Sequence, residues 1–407
     1  MLNAAIIGVS GYGEIHYQEL KRETESGRIR IVAAVVRNQD DNKEKCDWLR
    51  SQGTVIFPDY KEMLEEFNGK IDLCCIPTGI STHAEMSIAA MQAGANVLVE
   101  KPAAATIQEV MEMQRASEET GKFVAVGFQY IYQPDIRQLK QILIDGVIGK
   151  LISLKCHAIS SRNTTYYTRN GWAGKLKSGG AWVLDSPYNN AQAHHVNLLC
   201  YFAGKEFGTA ATLDTIQAEL YHANDIENAD TACMRIMTDN DLKIYFYATH
   251  ACASSMGQHY VITGDKGTLT FTMGELEAIV KLDDGTMQSI ALLPRNERDK
   301  NMFDVILSKL SGNDEVLCDL PLVASQTLFN NGAHESSPIH AIPEDCKTTV
   351  TNSENISNVQ INDIEPLIIT AFEEEKMFSE MGASWAKPGV TFELTGYSSF
   401  NGGRSAE

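Results

Sequence analysis

The sequence predicts an α/β protein, with an N-terminal doubly wound parallel sheet and a C-terminal α+β domain on a mostly antiparallel open sheet. In the first 128 residues, continuous apolar runs alternate with amphipathic segments, as in parallel strands covered on both faces. After about residue 150, shorter segments alternate apolar and polar residues between turn signals. We therefore predict one domain over residues 1–128 and a second over 129–407.

The N-terminal elements follow one another without a long loop. Apolar runs such as "IRIVAAVV" and "IDLCCIP" predict strands at 3–9, 29–36, 54–57, 71–77, 96–100 and 123–128. Amphipathic spacing predicts helices at 14–26, 43–53, 60–67, 83–94 and 106–121. Cys74 and Cys75 lie within an apolar run, and we interpret them as small core residues.

The C-terminal half contains alternating segments such as "HYVITGDKGTLTFT" and "EAIVKLDDGTMQSIALL". Turn dipeptides at 239–240, 264–265 and 284–285 separate them, which indicates antiparallel strands. Helical patterns occur at about 187–203, 298–311 and 363–382. The stretch from about 335 to 360 is rich in Ser, Pro, Asn and Thr, and we predict a loop there.

Charge and cysteine content exclude several classes of function. The 407 residues carry a formal net charge of -19 and show no run of Lys or Arg, so nucleic acid and anionic membranes are not expected partners. The nine cysteines, an odd number without a C-x-x-C pair, indicate free thiols in a reducing compartment. No apolar stretch could span a bilayer and no signal peptide is evident, so we expect a cytoplasmic protein.

The glycine-rich stretch "GVSGYG" (8–13) follows the first strand and opens the first helix. Backbone amides at such a helix start can bind a diphosphate, which makes this turn a candidate dinucleotide site of the Rossmann type. The stretch departs from G-x-G-x-x-G because Ser10 occupies the second glycine position. An ordinary tight turn is the alternative, but the strand–turn–helix context favours cofactor binding. The candidate cofactor-binding residues here are Gly8, Ser10, Gly11, Tyr12 and Gly13.

The end of the second strand bears on the choice between NAD and NADP. An acidic residue at this place binds the ribose 2′-hydroxyl of NAD, whereas this chain has Val36 and Arg37 there. Asp40 and Asp41 come slightly later. Arg37 either contacts a 2′-phosphate or is a solvent-exposed residue at the end of the strand. The pattern favours NADP without excluding NAD.

The stretch "PTGISTHAEMSIAAMQAGANVLVEKPAA" resembles the Gfo/Idh/MocA family of nicotinamide-dependent sugar and polyol dehydrogenases. The matching residues are Thr78, His83, Ala90, Gly94, Val97, Glu100, Lys101 and Pro102. The resemblance implies a Rossmann domain followed by an open sheet that serves in self-association, as a homo-oligomer (dimer or tetramer). It also implies NAD or NADP as cofactor, and we assign Thr78, His83, Glu100 and Gln129 to the cofactor site.

Lys101 is the residue on which the predicted chemistry depends. In the family this lysine lies between nicotinamide and substrate, where a cation stabilises the alcohol oxygen as its proton leaves. Glu100 would orient the lysine, and Pro102 is a candidate for a cis peptide bond. The alternative is a surface ion pair at the end of a strand, which contributes little.

The segment 177–204 corresponds to a second family motif, with Ser186 and Pro187 as a helix start and Gly204 as its end. The family histidine is replaced by Asn189, while His194 and His195 follow one to two turns later. On a continuous helix Asn190 and His194 share a face. We predict His194 as proton acceptor and Asp185 as a substrate anchor or orienting group, with Asn189 and Asn190 bonding substrate hydroxyls. Alternatively, these histidines have only a packing role, and Lys101 alone carries out the proton transfer.

The loop "NTTYYTRNGWAGK" (163–175) combines rings with a bidentate donor, which suits a carbohydrate. Its candidate substrate-binding residues are Tyr166, Tyr167, Arg169 and Trp172, although loop aromatics can equally pack between domains. Tyr132 is a further polar candidate, in a segment where family members often carry an arginine in place of Ile131. No His/Cys pattern indicates a metal site.

These residues together predict an NAD(P)-dependent oxidoreductase that transfers hydride at a secondary hydroxyl or ketone of a sugar, glycoside or polyol. The expected partner is a small carbohydrate. Two alternatives stay open: an enzyme that eliminates or epimerises a sugar while recycling a bound cofactor, and a dinucleotide-binding regulator without catalysis.

Overall fold

A computed structural model describes residues 1–294, 296 and 298–405, with no side-chain detail at 298. The chain divides into two compact units. The first, here called the N-terminal unit, comprises Met1–Ala104, Gln108–Gln133 and Asn296–Val323; the second, the C-terminal unit, comprises Ala105–Ile107, Pro134–Arg295 and Ala324–Glu407. The boundary at residue 128 stays a prediction, and the N-terminal unit takes in 296–323 in addition to the first part of the chain.

The N-terminal unit is built on a six-stranded sheet. Its strands are β1 (Leu2–Ile7), β2 (Ile29–Val35), β3 (Val55–Phe57), β4 (Leu73–Ile76), β5 (Asn96–Val99) and β6 (Val124–Val126). All pairs are parallel and the order is β3-β2-β1-β4-β5-β6. This is the doubly wound order of a Rossmann fold, which the apolar runs predict. The strand order reverses between β1 and β4, where such sheets bind ligands at the carboxyl ends of their strands.

The helices of the chain are α1 (Gly13–Glu25), α2 (Lys43–Ser51), α3 (Tyr60–Glu66), α4 (His83–Gln92), α5 (Ile107–Thr120), α6 (Pro134–Ile144), α7 (Thr164–Tyr167), α8 (Ala193–Ala203), α9 (Arg298–Leu310), α10 (Leu320–Ser336) and α11 (Ile364–Glu374). The first five confirm the predicted N-terminal helices. Within the described residues, no helix has the length and apolar character that crossing a bilayer requires. All nine cysteines are free, and Cys74 and Cys75 are buried, as predicted.

The C-terminal unit contains a large mixed sheet that is mostly antiparallel, as predicted. Its strands are β7 (Leu151–Ile159), β10 (Leu213–His222), β11 (Thr231–Thr238), β12 (Lys243–Thr249), β13 (His259–Gly264), β14 (Gly267–Thr272), β15 (Glu277–Leu282), β16 (Met287–Ala291), β17 (Ile339–Ala341) and β20 (Phe392–Glu393). Only β7–β12 and β10–β17 pair in parallel among these. Two small hairpins are separate: β8 (Lys177–Ser178) with β9 (Ala181–Trp182), and β18 (Lys347–Thr351) with β19 (Ser357–Ile361).

Three predictions for this half are wrong in detail. The stretch 335–360 is not a loop, because it holds β17, β18 and most of β19. β18 is largely exposed and shows no apolar alternation, while the short β19 is half-buried and contributes Val359 and Ile361 to the core. The helix predicted over 363–382 ends at Glu374, where Glu375 adopts a left-handed conformation. The helix predicted over 187–203 is interrupted: a π-helical turn covers Pro187–Ala191, and α8 begins at Ala193.

The segment after β19 covers one face of the large sheet. Ile364, Ile368 and Phe372 of α11 are buried against tyrosine and cysteine side chains of the central strands. Full burial of each such side chain contributes about 1.5–3 kcal/mol relative to exposure. This packing buries one face of the sheet that contains β7 and β12.

Candidate active site

The glycine turn that connects β1 with α1 has the backbone geometry of a diphosphate-binding turn. Gly8 and Gly11 have φ values of +97° and +61°, a region in which side chains are disfavoured. A Cβ atom on Gly13 would lie 2.6 Å from the carbonyl oxygen of Gly8, so only glycine lets the helix approach the strand this closely. Ser10 and Tyr12 are exposed beside the turn. The turn therefore fits a dinucleotide diphosphate at the start of α1.

A lysine that sequence reasoning missed is held at the same turn. The Lys45 ammonium donates to the carbonyl oxygen of Val9 at 2.6 Å and pairs with Glu14 in the first turn of α1. Hydrogen bonds from Gln18 and Lys45 lower the pKa of Glu14. Lys45 thus places a positive charge next to the turn, while Arg37 at the end of β2 is exposed.

Glu100, the residue after β5, is anchored to α1 by a buried hydrogen bond. Its Oε1 atom lies 2.8 Å from Nε2 of His16, and both side chains are almost fully inaccessible to solvent. Its Oε2 atom accepts the backbone N–H of Lys101 at 3.1 Å. His16 is the second residue that sequence reasoning missed. The only signal for it was a polar side chain at an inward position of an amphipathic helix.

The Lys101–Pro102 peptide bond is cis, which confirms that hypothesis. His83 holds the turn from the other side: its Nδ1 lies 2.8 Å from the carbonyl oxygen of Pro102 and its Nε2 lies 3.1 Å from that of Thr78. Burial lowers the pKa of His83. Both ring nitrogens therefore face backbone oxygens, and His83 ties the end of β4 to the turn that carries Lys101.

The remaining predicted residues of the N-terminal unit differ in their surroundings. Thr78 follows β4 and bonds Thr82, with its methyl group 4.0 Å from the Cβ position of Gly8. Gln129 donates to the Tyr12 hydroxyl at 3.0 Å and lies 3.5 Å from Glu100. Tyr132 is buried, and its hydroxyl bonds the backbone of Val126 and Cys318. Tyr132 is therefore part of the packing, whereas Thr78, Gln129 and Glu100 lie around the glycine turn.

In the C-terminal unit Asp185 is the centre of a polar cluster. It is 3% exposed and accepts hydrogen bonds from three donors: the Asn190 side chain at 2.7 Å, the Gly174 backbone at 2.7 Å and the Arg169 guanidinium at 3.1 Å. These bonds fix the carboxylate in one orientation. The cluster brings together Asp185, Asn190 and Arg169, three of the residues that the sequence proposes for substrate binding.

Asn189 has a different environment from Asn190. It is buried, and its side-chain amide donates to the carbonyl oxygens of Val183 and Leu184, each at 3.2 Å. Leu184 has a φ value of +48°, a strained conformation for a branched side chain directly before Asp185. Asn189 therefore supports the backbone that presents Asp185. Ser186 accepts the backbone N–H of Asn189, which confirms the predicted N-cap, and Gly204 ends α8 as predicted.

The two histidines lie in the first turn of α8. His195 is buried, and its Nδ1 lies 2.5 Å from the Tyr260 hydroxyl, so this side chain packs within the unit. His194 is half-buried. The predicted helical face shared by Asn190 and His194 was wrong in its assumption of a continuous α-helix, because the π-helical turn changes the register between them.

The aromatic residues of the 163–175 loop pack around the Arg169 guanidinium. The Arg169 guanidinium lies 3.8 Å from the ring centroid of Tyr166 and 5.2 Å from that of Trp172. The rings of Tyr166 and Tyr167 meet edge to face at 5.2 Å. The loop thus holds Arg169 in place for its bond to Asp185. Among the residues that the structure describes, no group of three or more His, Cys, Asp or Glu side chains is arranged to hold a metal ion.

Comparisons with known proteins agree with the Rossmann fold of the N-terminal unit. A family model described as oxidoreductase family, NAD-binding Rossmann fold, matches residues 2–128, and the GFO/IDH/MocA C-terminal domain model matches residues 136–270. The oxidoreductase YdgJ of Escherichia coli (strain K12) is 24% identical over 285 residues, which cover 70% of this chain and 74% of that protein.

Two further proteins are similar to this chain, one in sequence and one in fold. The inositol 2-dehydrogenase/D-chiro-inositol 3-dehydrogenase of Halalkalibacterium halodurans is 25% identical over 207 residues, 51% of this chain and 54% of that protein. The chain therefore matches about half the length of that enzyme. The solved WlbA dehydrogenase of Bordetella pertussis, in complex with NADH and UDP-GlcNAcA, has a TM-score of 0.66 at 18% identity, covering 82% of this chain and 96% of that one. This likeness shows a shared fold. Because both domain models match, over more than half of its length together, the chain belongs to the Gfo/Idh/MocA family of oxidoreductases with an NAD-binding Rossmann fold.

Proposed function

We propose that this oxidoreductase transfers hydride at a secondary hydroxyl or ketone of a sugar, glycoside or polyol. The observation that carries the proposal is the Glu100–Lys101–Pro102 turn after β5, held by His16 and His83 at the same sheet edge as the glycine turn. At the carboxyl ends of the strands of a Rossmann sheet, such a lysine would serve a reaction that begins at a bound dinucleotide. The inositol dehydrogenase activity of a relative supports a polyhydroxylated substrate.

In this proposal Lys101 acts on the reacting oxygen. Its ammonium group has three donors and stabilises the negative charge that develops on an alcohol oxygen as the proton leaves. The bound dinucleotide would supply the hydride acceptor. Glu100 holds the lysine backbone through its own carboxylate, and the buried His16 bond prevents that carboxylate from turning away.

The C-terminal unit would supply substrate contacts. We propose His194 as the proton acceptor and Asp185, Asn190 and Arg169 as groups that bond substrate hydroxyls. Asp185 can keep its orientation during binding because three donors already fix it. Tyr167 and Trp172 would contact the C–H faces of the sugar, and Asn189 would act by holding the Asp185 backbone.

The central test is turnover with NAD or NADP and a panel of sugars and polyols, followed by nicotinamide absorbance and by chromatography of the sugar. Lys101→Met should lower kcat by about 10²–10⁴-fold, the range for a positioned acid–base group. Lys61→Met, at a side chain 70% exposed on α3, is the matched control and should keep full activity. Wild-type kcat in Lys101→Met would contradict the proposal. Conversion of the sugar without net reduction would identify a recycled cofactor instead.

For the cofactor phosphate we propose that Arg37 gives a preference for NADP. No acidic side chain stands at positions 36 and 37 to bond a ribose 2′-hydroxyl, and Arg37 is exposed at the strand end. Comparing kcat/KM for NADP and NAD in wild type and Arg37→Ala tests this. An NADP preference that falls at least tenfold in the variant supports the proposal, whereas an unchanged ratio opposes it.

We also propose a homo-oligomer, a dimer or a tetramer. The support is the family to which the chain belongs, since the resemblance to it implies that the large open sheet serves in self-association. Light scattering at several protein concentrations distinguishes an oligomer from a monomer.

A further inference from the structure

Two arginines of the C-terminal unit share one tyrosine ring. The guanidinium carbons of Arg169 and Arg162 lie 3.8 and 5.1 Å from the ring centroid of Tyr166. Arg162 follows β7 and Arg169 follows α7, so the loop between them folds back on itself to bring two positive charges together. Like charges repel, and such a pair persists where an anion balances it.

Among the residues that the structure describes, only one of the two arginines forms an ion pair with a carboxylate. Arg169 is paired with Asp185 at 3.1 Å. Arg162 donates to the carbonyl oxygen of Ser161, and within the described part of the chain no carboxylate forms an ion pair with it. The Arg162 guanidinium carries five N–H donors in a planar fork that matches a carboxylate or phosphate.

The other nearby carboxylate, Asp230, is already committed to local donors. It accepts the backbone N–H groups of Ala223 and Asn224, the Asn224 side-chain amide and the Thr231 hydroxyl. Asp185 is bonded as described above. Neither carboxylate therefore competes for the donors of Arg162.

Buried polar atoms without partners adjoin the arginine pair. The hydroxyl of Tyr167 and Nε2 of His250 have no hydrogen-bond partner among the described residues. The rings of His250 and Tyr166 meet at 5.3 Å. Burial, with Arg162 and Arg169 adding to it, holds the pKa of His250 well below the usual range, so the imidazole is neutral. The Tyr167 hydroxyl therefore offers a neutral donor beside the arginine pair, and His250 offers a neutral imidazole.

The loop is fixed by the β18–β19 hairpin. The Asn358 side chain donates to the Ser161 hydroxyl at 2.7 Å, and the backbone N–H of Ser357 donates to the Thr164 hydroxyl at 3.3 Å. Both bonds flank Arg162 in the sequence. A loop held in advance loses little entropy on binding, as a recognition site requires.

We propose that Arg162, with Tyr167 and His250, forms a subsite for an anionic group of the substrate, a carboxylate or a phosphate. The proposal rests on the dehydrogenase function and narrows its substrate class to acidic sugars or sugar phosphates. Arg162 would bond two oxygens of the anion, and the Tyr167 hydroxyl would donate to a remaining one.

The test is a binding panel of matched neutral sugars, their uronic acids and their 6-phosphates, screened by thermal shift and measured by calorimetry. We expect an acidic member to bind at least tenfold more tightly than its neutral counterpart, and the uronate and phosphate arms identify which anion it is. Arg162→Gln should remove this preference, and Arg162→Lys should keep part of it as a point charge. Arg404→Gln, at an exposed arginine of the same unit, is the matched control and should retain the full preference.

The outcomes separate the two proposals. Turnover of neutral sugars with no acidic member favoured overturns the subsite and leaves the dehydrogenase function standing. An acid preference that survives in Arg162→Gln also overturns it. Arg162-dependent binding of acids without any turnover supports the subsite and removes the dehydrogenase proposal. Melting temperatures of both Arg162 variants near that of wild type would show that lost preference is not lost folding.

Discussion

His334 should make the stability of the C-terminal unit sensitive to mild acid. The side chain is 4% exposed, its Nε2 lies 3.2 Å from the Tyr188 hydroxyl, and its ring packs beside Phe400. Burial lowers the pKa of His334 to about 4. In the unfolded chain a histidine has a pKa of about 6.5. As pH falls below 6.5 the unfolded state therefore binds the proton first, and stability is lost down to about pH 4.

The size of this effect follows from the two pKa values. Each unit of pKa difference corresponds to about 1.4 kcal/mol, so the full loss is about 3 kcal/mol near pH 4 and about 2 kcal/mol at pH 5. His157, whose pKa burial and then His259 lower to about 4, adds a similar loss in wild type. The difference in the free energy of unfolding between wild type and His334→Gln isolates the contribution of His334, because His157 is present in both proteins.

The assay is urea unfolding followed by tryptophan fluorescence at pH 7.5 and pH 5. The free energy of unfolding of His334→Gln relative to wild type should rise by about 2 kcal/mol between these pH values, because the variant has no proton to bind at this position. The variant itself should be less stable than wild type at pH 7.5, since it disturbs a packed site. An unchanged difference at the two pH values would refute the reasoning.

Substitutions at three further positions test the local geometry. Gly13→Ala should weaken dinucleotide binding at least tenfold, measured by fluorescence titration, because its Cβ atom would lie 2.6 Å from a backbone oxygen of the turn; an unchanged Kd would show that the turn can open freely. His16→Leu should cost about 2–4 kcal/mol in urea unfolding because it leaves Glu100 buried without this partner, and His16→Gln should recover part of the loss; equal stability of the two variants would argue against the hydrogen bond. Ser186→Ala should cost about 1 kcal/mol by removing the acceptor for Asn189, and a free energy of unfolding equal to that of wild type would exclude a capping role.

The N-terminal sheet could be predicted because its signal is local. Strands buried on both faces are continuous apolar runs, and the helices between them keep a 3.6-residue period. The hairpin of β18 and β19 could not be found in this way, because β18 is largely exposed and β19 contributes just Val359 and Ile361 to the core, which is too short an alternation to indicate a strand. The π-helical turn at Pro187–Ala191 likewise has no signal in residue type.

The candidate site residues likewise fall into two groups, those with a local sequence signal and those that depend on the fold. The glycine turn and the Glu100–Lys101–Pro102 turn are each contiguous in sequence and could be recognised there. The bond between His16 and Glu100 joins residues 84 positions apart and depends on the order of strands in the sheet. Adjacent asparagines show the limit most clearly, since Asn190 bonds Asp185 whereas Asn189 bonds the backbone before it.

The discontinuous composition of the N-terminal unit has a consequence for biosynthesis. The backbone N–H of Val126, in the edge strand β6, donates to the carbonyl oxygen of Cys318 at 2.7 Å, and Arg28 pairs with Asp304 of α9. At a synthesis rate of 5–20 residues per second, roughly 10–40 s pass between synthesis of the last strand of the nucleotide-binding sheet and synthesis of these groups. During that interval the edge strand is uncovered, so nascent chains are most exposed to mispairing before residue 323 leaves the exit tunnel.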